Sequence, residues 1–410
     1  MSRTNGRARR MKNKLAKCFC FVCVVAIVIY IVTYTLASLN SNKSKTLLEW
    51  LEDNPQEANK LNISRPSETI KYILQWSSGE LSPFDFMGKG QSAFINNNCT
   101  YDNCFVTDDR GFLFDYRLFH AIAFNGHQVI KTKSYNLPKL RSSKQKYIFA
   151  AMESADNYPA CASNLDGFFN WTWSYRLDSD VRWGYITFYH LNGTLAGPKP
   201  EMTWPNEFRP IDEETKGKLV NKSKAVAWFV SNCGTKSKRE LLAMEIQAKL
   251  AKYDLEVDIF GRCGKHKCDR SKWSECLAML ERDYYFYFSF ENSFAEDYVT
   301  EKVLTPLNHL TVPVVYGSAN YSRFLPPGSY LNAKELGAEE LAKQMAAIIQ
   351  NKTAYYDFFR WRNHYTYTET SANIDVCNLC ALLNDEEKYN AFSTYKEFRK
   401  WWNPSESSCS

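Results

Sequence analysis

Between Ser289 and Lys302 the chain reads SFENSFAEDYVTEK, which gathers a carboxylate, an amide, a phenol, a second carboxylate and an ammonium within fourteen residues. Glu291, Asn292 and Ser293 follow an aromatic run (Tyr284–Phe290), and Asp297-Tyr298-Val299-Thr300-Glu301-Lys302 opens the next helical pattern. Such a mixture suits an anionic, hydroxyl-rich ligand. A helix N-terminus and Lys302 can face a phosphate, and Glu301 a hydroxyl or a developing positive charge. The plainer alternative is a polar connection whose Asp and Thr cap a helix. Other candidates are weaker. His120, His127, His190, His266, His309 and His364 form no metal-ligand spacing and read as surface or packing residues. Cys377 and Cys380 have the spacing of half a zinc site, but no second CxxC exists outside the apolar 18–39 stretch, which holds Cys20 and Cys23. Trp171, Trp173, Tyr175, Trp183 and Tyr185 could stack on sugar rings, although such residues more often fill a core.

The elements needed to position these groups are legible in the second half. Ala225–Ser231, Val257–Gly261, Tyr284–Phe290 and Val312–Gly317 are strand-like. Arg239–Tyr253, Trp273–Leu280, Val299–Leu310, Glu339–Gln350 and Ala354–His364 carry helical patterns. Alternating strands and helices predict a parallel sheet with ligands at the C-terminal ends of its strands. Chemistry is therefore expected in the loops after Ser231, Gly261, Phe290 and Gly317. In the first half, Ile70–Trp76 and Tyr147–Met152 read as strands and Leu118–Asn125 as a helix, which fits a second α/β domain.

The net charge of +6 is uneven: seven cations and no acid lie in the first 17 residues, leaving residues 18–410 at −1. No basic footprint for nucleic acid remains. Cys18–Leu39 is a mostly apolar stretch of 22 residues without charge. As a helix it would run about 33 Å, enough to span a bilayer core. A cleaved leader has a shorter apolar region, and Thr35-Leu36-Ala37 is a mediocre cleavage site. The cation bias then places the N-terminus in the cytosol, giving a type II membrane protein held in lipid by one helix. Cys18, Cys20 and Cys23 lie in or beside that span; the other ten cysteines face an oxidising compartment, which favours disulfides. Asn42, Asn62, Asn98, Asn170, Asn192, Asn221, Asn320 and Asn351 begin glycosylation triplets.

The stretch FENSFAEDYVTEK, with VPVVYG and FLPPGSYL beyond it, resembles the signature of the α1,3-fucosyltransferases, glycosyltransferase family 10. AVAWFVSNCGTKSKRELLAMEIQ, NWTWSYRLDSD (170–180) and AMES (151–154) fit the same family in order, so the likeness spans roughly residues 95–385. It implies an α/β, GT-B type fold: two Rossmann-like domains facing a cleft, preceded by a transmembrane helix and stem. The expected division is a cytosolic tail (1–17), signal-anchor (18–39), stem (40–67) and N-terminal acceptor-side domain (68–215). A GDP-fucose-binding domain (216–370) and a C-terminal segment returning to the N-terminal domain (371–410) complete it.

The resemblance implies inverting transfer of L-fucose from GDP-fucose to O3 of an N-acetylglucosamine on glycoprotein N-glycans, in the Golgi membrane with the catalytic part luminal. Carried over by motif, Glu153 is the general base, in a Glu-Ser-Ala stretch where relatives have a proline at the third position. Asn292, Tyr298, Glu301 and Lys302 fall at donor-binding positions, with Lys302 toward the diphosphate and Glu301 toward the fucose. Arg239 falls at a phosphate-binding position, with Lys238 beside it as a substitute. A guanidinium fork can grip diphosphate oxygens and take a metal's place. Asp178-Ser179-Asp180 mimics a metal-binding DxD but belongs to the YRxDSD stretch. No metal ligand set is therefore expected and no cofactor is required, while stimulation by Mn2+ or Mg2+ stays open.

Arg182-Trp183-Gly184-Tyr185 replaces a proline-tyrosine-glycine turn of relatives and lies toward the acceptor side. Ser231-Asn232-Cys233 and the DIFGRCG stretch (258–264), with Cys268, look most like the invertebrate and plant branch, whose acceptor is the chitobiose core. Antennal LacNAc or LacdiNAc is the alternative acceptor, and a catalytically altered glycan-binding relative the alternative function. By the same analogy Cys99 and Cys104 pair with Cys377 and Cys380; Cys233 with Cys276 and Cys263 with Cys268 are candidate pairings that the sequence leaves open. Cys161 and Cys409 are left open.

Overall fold

Ala121–Asn125 and Tyr284–Phe290 are buried at every position. That is the mark of strands covered on both faces, and each lies inside a parallel sheet. The computed structural model describes residues 70–77, 84–132, 136–369, 372–403 and 409. The expected tail, membrane span and stem (1–67) lie outside the described residues. Among the described residues no helix is long and apolar enough to cross a membrane.

The first sheet comprises β1 (Lys71–Gln75), β2 (Cys104–Thr107), β3 (Ala121–Asn125), β4 (Lys146–Ala151), β5 (Trp171–Ser174) and β6 (Val181–Arg182), in the order β2-β1-β3-β4-β5-β6. Every neighbouring pair is parallel. Here one expectation fails: β3 occupies the C-terminal part of the segment predicted as a helix. Ile122 lies between Leu74 of β1 and Tyr147 of β4, so the ladder on both sides overrides the local helical pattern. Trp171, Trp173 and Trp183 are core residues of this half, with the Trp173 and Trp183 rings 4.3 Å apart.

Ile186–His190 (β7) and Leu195–Gly197 (β8) pair antiparallel, and Tyr365–Glu369 joins β7 as a third strand. The second parallel sheet holds β9 (Lys224–Phe229), β10 (Val257–Phe260), β11 (Tyr284–Phe290), β12 (Val312–Tyr316) and β13 (Leu331–Asn332), in the order β10-β9-β11-β12-β13. Helices α1 (Arg239–Leu250), α2 (Trp273–Asp283) and α3 (Ala333–Gln350) flank it. Ile246, Leu250, Leu341 and Met345 pack with Val226, Phe286 and Val314 in one cluster. Helix α3 starts earlier than its apolar pattern suggests, with a break at Gly337, whose φ is 70°. Where one helix was expected over 299–310, Glu301–Val303 is a 3-10 turn and only Leu304–Asn308 is α-helical.

The chain then returns to the first sheet. In α4 (Ala372–Asn384), Val376, Leu379 and Leu383 enter the cluster of Ile73, Val106 and Trp173. Cys99–Cys377 and Cys104–Cys380 fasten this helix, as the resemblance implied. Beyond it, α5 (Phe398–Trp402) sets Phe398 and Trp402 each 4.8 Å from the Phe149 ring, and Cys161–Cys409 closes the end. The other two pairings differ from those expected: the bridges are Cys233–Cys263 and Cys268–Cys276. The register explains the first. β9 and β10 are neighbours, so the loops after them, which carry Cys233 and Cys263, leave the sheet side by side. Cys268 is left beside Cys276 at the start of α2.

Candidate functional site

The loops after β4, β9 and β11 meet at the C-terminal ends of the two sheets. Glu153 stands two residues past β4, half-buried. Its Oε1 accepts from Ser154 N at 2.9 Å, Asn157 Nδ2 at 3.1 Å and Tyr298 OH at 2.7 Å. It lines a cavity of about 340 Å³ with Asn125, Gly126, His127, Tyr158, Tyr185 and Trp402. Gly126 is tightly packed: a Cβ there would lie 2.8 Å from both Ala151 Cβ and the Phe149 ring. His127 is a surface residue as expected, but it borders this cavity, with its ring centroid 3.9 Å from that of Tyr158 and Lys131 Nζ 3.0 Å from its Nε2.

Across the cleft, Glu291 at the end of β11 is fully buried. It accepts from Thr300 N and Thr300 Oγ1, both at 2.9 Å, and pairs with Lys302 Nζ at 3.0 Å. Burial pushes the Glu291 carboxyl up, and Lys302 offsets only part of that rise. Burial also opposes the charge of Lys302, but Glu291 and Glu301 outweigh it and hold the ammonium above the usual lysine range. Lys302 remains 23 % exposed, with Glu301 Oε1 3.3 Å away and itself largely exposed. The Thr300 amide, at the start of this turn, is thus already bonded to Glu291. Lys302 is the cation held ready at this spot.

Arg239 lies elsewhere than an open phosphate clamp. Its side chain is only 7 % exposed, and Nη1 donates to Phe290 O at 2.6 Å. Burial lowers its pKa. In this conformation it fixes the end of β11 from the first residue of α1. Lys238 beside it is exposed, in a left-handed conformation with φ 53°. Ser237 adds two bonds to the same junction, N to Asn292 O at 3.1 Å and Oγ to Glu291 O at 2.7 Å. Asn292 is half-buried, and its Oδ1 accepts from Ser293 Oγ at 3.0 Å.

Several polar links join the two halves. Ser154 Oγ and Ser293 Oγ are 2.5 Å apart, Phe294 N donates to Asp156 Oδ2 at 3.2 Å, and Lys236 Nζ donates to Asp156 O. Leu177 N donates to Asp297 Oδ2 at 3.0 Å. Asp297 is 2 % exposed and has φ 57°. Aspartate tolerates this left-handed geometry better than most residues, and the surrounding bonds hold it there.

Glu153, Asn292, Tyr298, Glu301 and Lys302 thus come together, and Arg239 lies behind them. Sequence reasoning placed Glu291 and Ser293 in the polar segment without assigning either a role and missed Asn157, since their importance comes from burial and from partners distant in the chain. Tyr175 and Tyr185 were flagged only as aromatics. In the fold Tyr185 OH donates to Met152 O at 2.7 Å, and Tyr175 OH accepts from Ala155 N at 3.1 Å. The carboxylates of the DxD look-alike are engaged separately. Asp178 pairs with Arg176 at 2.8 Å, while Asp180 accepts from Thr172 N at 2.8 Å and Tyr395 OH at 2.9 Å. Among the described residues no group of three or more His, Cys, Asp or Glu side chains could hold a metal ion.

Glu153, beyond one parallel sheet, meets the phenol of Tyr298, beyond the other, and known proteins identify the family that has this chain's sequence pattern. Residues 68–186 match the family model for the fucosyltransferase N-terminal region, and residues 219–401 that for the C-terminal region of glycosyltransferase family 10 (fucosyltransferase). The chain is 36 % identical over 308 residues to α-(1,3)-fucosyltransferase C of Drosophila melanogaster, covering 74 % of this chain and 70 % of that one. It is 30 % identical to glycoprotein 3-α-L-fucosyltransferase A of the same fly, covering 82 % and 61 %. A 4-galactosyl-N-acetylglucosaminide 3-α-L-fucosyltransferase of Homo sapiens is 31 % identical, covering 70 % and 73 %. The chain belongs to glycosyltransferase family 10 and is a fucosyltransferase of the α1,3 class.

Proposed function

We propose that this chain transfers L-fucose from GDP-fucose to O3 of an N-acetylglucosamine on N-glycans, with inversion, and that its acceptor is the chitobiose core. The observation that carries the reaction is the meeting of Glu153 with the Tyr298–Lys302 segment, sealed by the 2.7 Å bond from Tyr298. In the reaction Glu153 takes the proton of the acceptor 3-hydroxyl as that oxygen bonds to the anomeric carbon. The bond from that carbon to the diphosphate breaks with its electron pair, and GDP departs with the developing charge beside Lys302. Such a transition state has oxocarbenium character, as in glycoside hydrolysis. The donor lies along Asn292, Tyr298, Glu301 and Lys302, with the exposed Lys238 on the loop after β9 and the buried Arg239 behind them. The two facing parallel sheets suit the GT-B arrangement.

The core acceptor is favoured by the SNC and DIFGRCG stretches, joined here by Cys233–Cys263. Overall identity does not discriminate, because relatives named for glycoprotein and for galactosyl-N-acetylglucosaminide acceptors score 30 % and 31 %. The apolar 18–39 segment supports single-pass type II anchoring in the Golgi membrane. Incubating the enzyme with GDP-fucose and a panel of defined N-glycans tests the proposal, with transfer expected to core chitobiose. Transfer to antennal LacNAc or LacdiNAc alone would overturn the acceptor assignment, and no transfer to any glycan would favour a glycan-binding relative. Glu153→Gln should lower kcat by about 10²–10⁴-fold, the usual worth of a general base, with GDP affinity kept. Activity should persist in excess EDTA, with Mn2+ or Mg2+ at most stimulatory.

A further inference from the structure

Four consecutive residues of the Glu153 loop are each held by a different hydroxyl. Met152 O accepts from Tyr185 OH at 2.7 Å, and Glu153 Oε1 from Tyr298 OH at 2.7 Å. Ser154 Oγ meets Ser293 Oγ at 2.5 Å, and Ala155 N donates to Tyr175 OH at 3.1 Å. Two of these hydroxyls come from the first half of the chain and two from the segment after β11. The three tyrosines also pack on one another: the Tyr298 ring stands edge-on to Tyr175 at 5.0 Å and to Tyr185 at 6.5 Å. Tyr298 is 3 % exposed, and a ring so confined can point its hydroxyl in few directions.

The carboxylate itself is asymmetric. Oε1 takes three bonds, from Ser154 N, Asn157 Nδ2 and Tyr298 OH, whereas Oε2 takes none from any described residue. One oxygen is therefore clamped and the other is left to the cavity that Glu153 lines. A base held at one oxygen keeps the lone pairs of the other aimed, which is what a proton transfer in a fixed geometry requires. A phenol-to-carboxylate bond of 2.7 Å is charge-assisted and strong enough to set that aim. Burial pushes Tyr298 well above the usual phenol range, so its proton stays in place to be donated.

We propose that Tyr298 is the positioning residue of the Glu153 base. It reaches from the donor-side segment to clamp Oε1 and so leaves Oε2 to accept the proton of the acceptor hydroxyl. This deepens the proposed function and rests on Glu153 being the base. It assigns Tyr298 a duty toward the base distinct from contact with the donor, and it makes base alignment depend on a segment 145 residues away.

The test compares Tyr298→Phe, Glu153→Gln and the double variant of the full chain. kcat is measured at saturating substrates and the affinity for GDP by calorimetry. Tyr298→Phe is expected to lower kcat at least tenfold while GDP affinity changes less than threefold. In the Glu153→Gln background the same change should lower the residual rate less than twofold, because no base is left to position. A Tyr298→Phe enzyme with kcat within twofold of the parent would overturn the proposal. So would a loss confined to GDP affinity, or an undiminished tenfold loss in the double variant. Should Tyr298→Phe fail to fold, Asn157→Ala removes another donor to the same oxygen and must lower kcat without changing GDP affinity. Full activity of Glu153→Gln by itself would instead remove the base assignment, and the positioning role with it.

Discussion

Lys302 and Glu291 show how one buried carboxylate can hold a cation ready for an anion. Glu291 is fully buried with three bonds from Thr300 and Lys302, so removing the lysine leaves a buried charge without its counter-ion. Breaking a wholly buried pair costs about 3–5 kcal/mol. Because Lys302 is 23 % exposed, Lys302→Met should cost less, about 2 kcal/mol in urea unfolding. GDP affinity should fall at least tenfold in the same variant, and an unchanged affinity would remove Lys302 from the donor site. His120 makes a different prediction. Its Nδ1 accepts from Tyr72 N at 3.0 Å, and burial, helped by Lys71, lowers its pKa to about 4. As pH falls below the ordinary histidine value the unfolded chain takes up a proton first. The stability this imidazole contributes is therefore complete above about pH 6.5 and is lost as pH drops toward 4, up to about 3 kcal/mol. His120→Asn, whose oxygen can accept the same bond, should flatten the pH dependence of the melting temperature across that window.

At the scale of elements, each parallel strand delivers its following loop to the same end of its sheet, and this gathers the site. Strand β11 was legible to the residue because seven successive buried positions leave no other reading. Strand β3 was not. Its five residues look helical by spacing and become a strand only because β1 and β4 flank them. The turn after β3 also lines the cavity beside Glu153. Gly126→Ala would drive a methyl into Ala151 and Phe149, with an expected cost of about 1–3 kcal/mol, typical of overpacking. Thermal melts would read the cost. A raised KM for the acceptor with unchanged GDP affinity would show the cavity narrowing, and an unchanged KM would place the acceptor elsewhere.

Over the described molecule, the last thirty described residues are bound back to the half that carries the first sheet. Cys99–Cys377 and Cys104–Cys380 span 278 and 276 residues, so both close essentially one loop. Chain entropy assigns such a loop about 5 kcal/mol, and the second bridge adds less because the first has already joined the strands it links. Replacing one pair by serine should therefore cost clearly less than half of what replacing both costs, as measured by urea unfolding without reductant. Equal and additive losses would mean that the bridges act through local packing. Trp402, from the same returning segment, lines the Glu153 cavity and donates from Nε1 to Tyr158 O at 2.9 Å. The far end of the chain thus helps to shape the site.

The sequence by itself determined what local pattern can carry: the alternating strands of the second half, the polar segment at 291–302 and the family. Through the family resemblance it also pointed to Glu153 as a candidate base and to Lys302 as a candidate contact for the diphosphate. Only the tertiary structure decided that Arg239 is turned inward onto Phe290 O, that Glu291 takes the Thr300 amide, and that Cys233 meets Cys263. It alone brought Tyr298 to Glu153. Periodicity reports which face of an element is buried, but a bond between side chains 145 residues apart depends on how two sheets meet, and no local spacing encodes that.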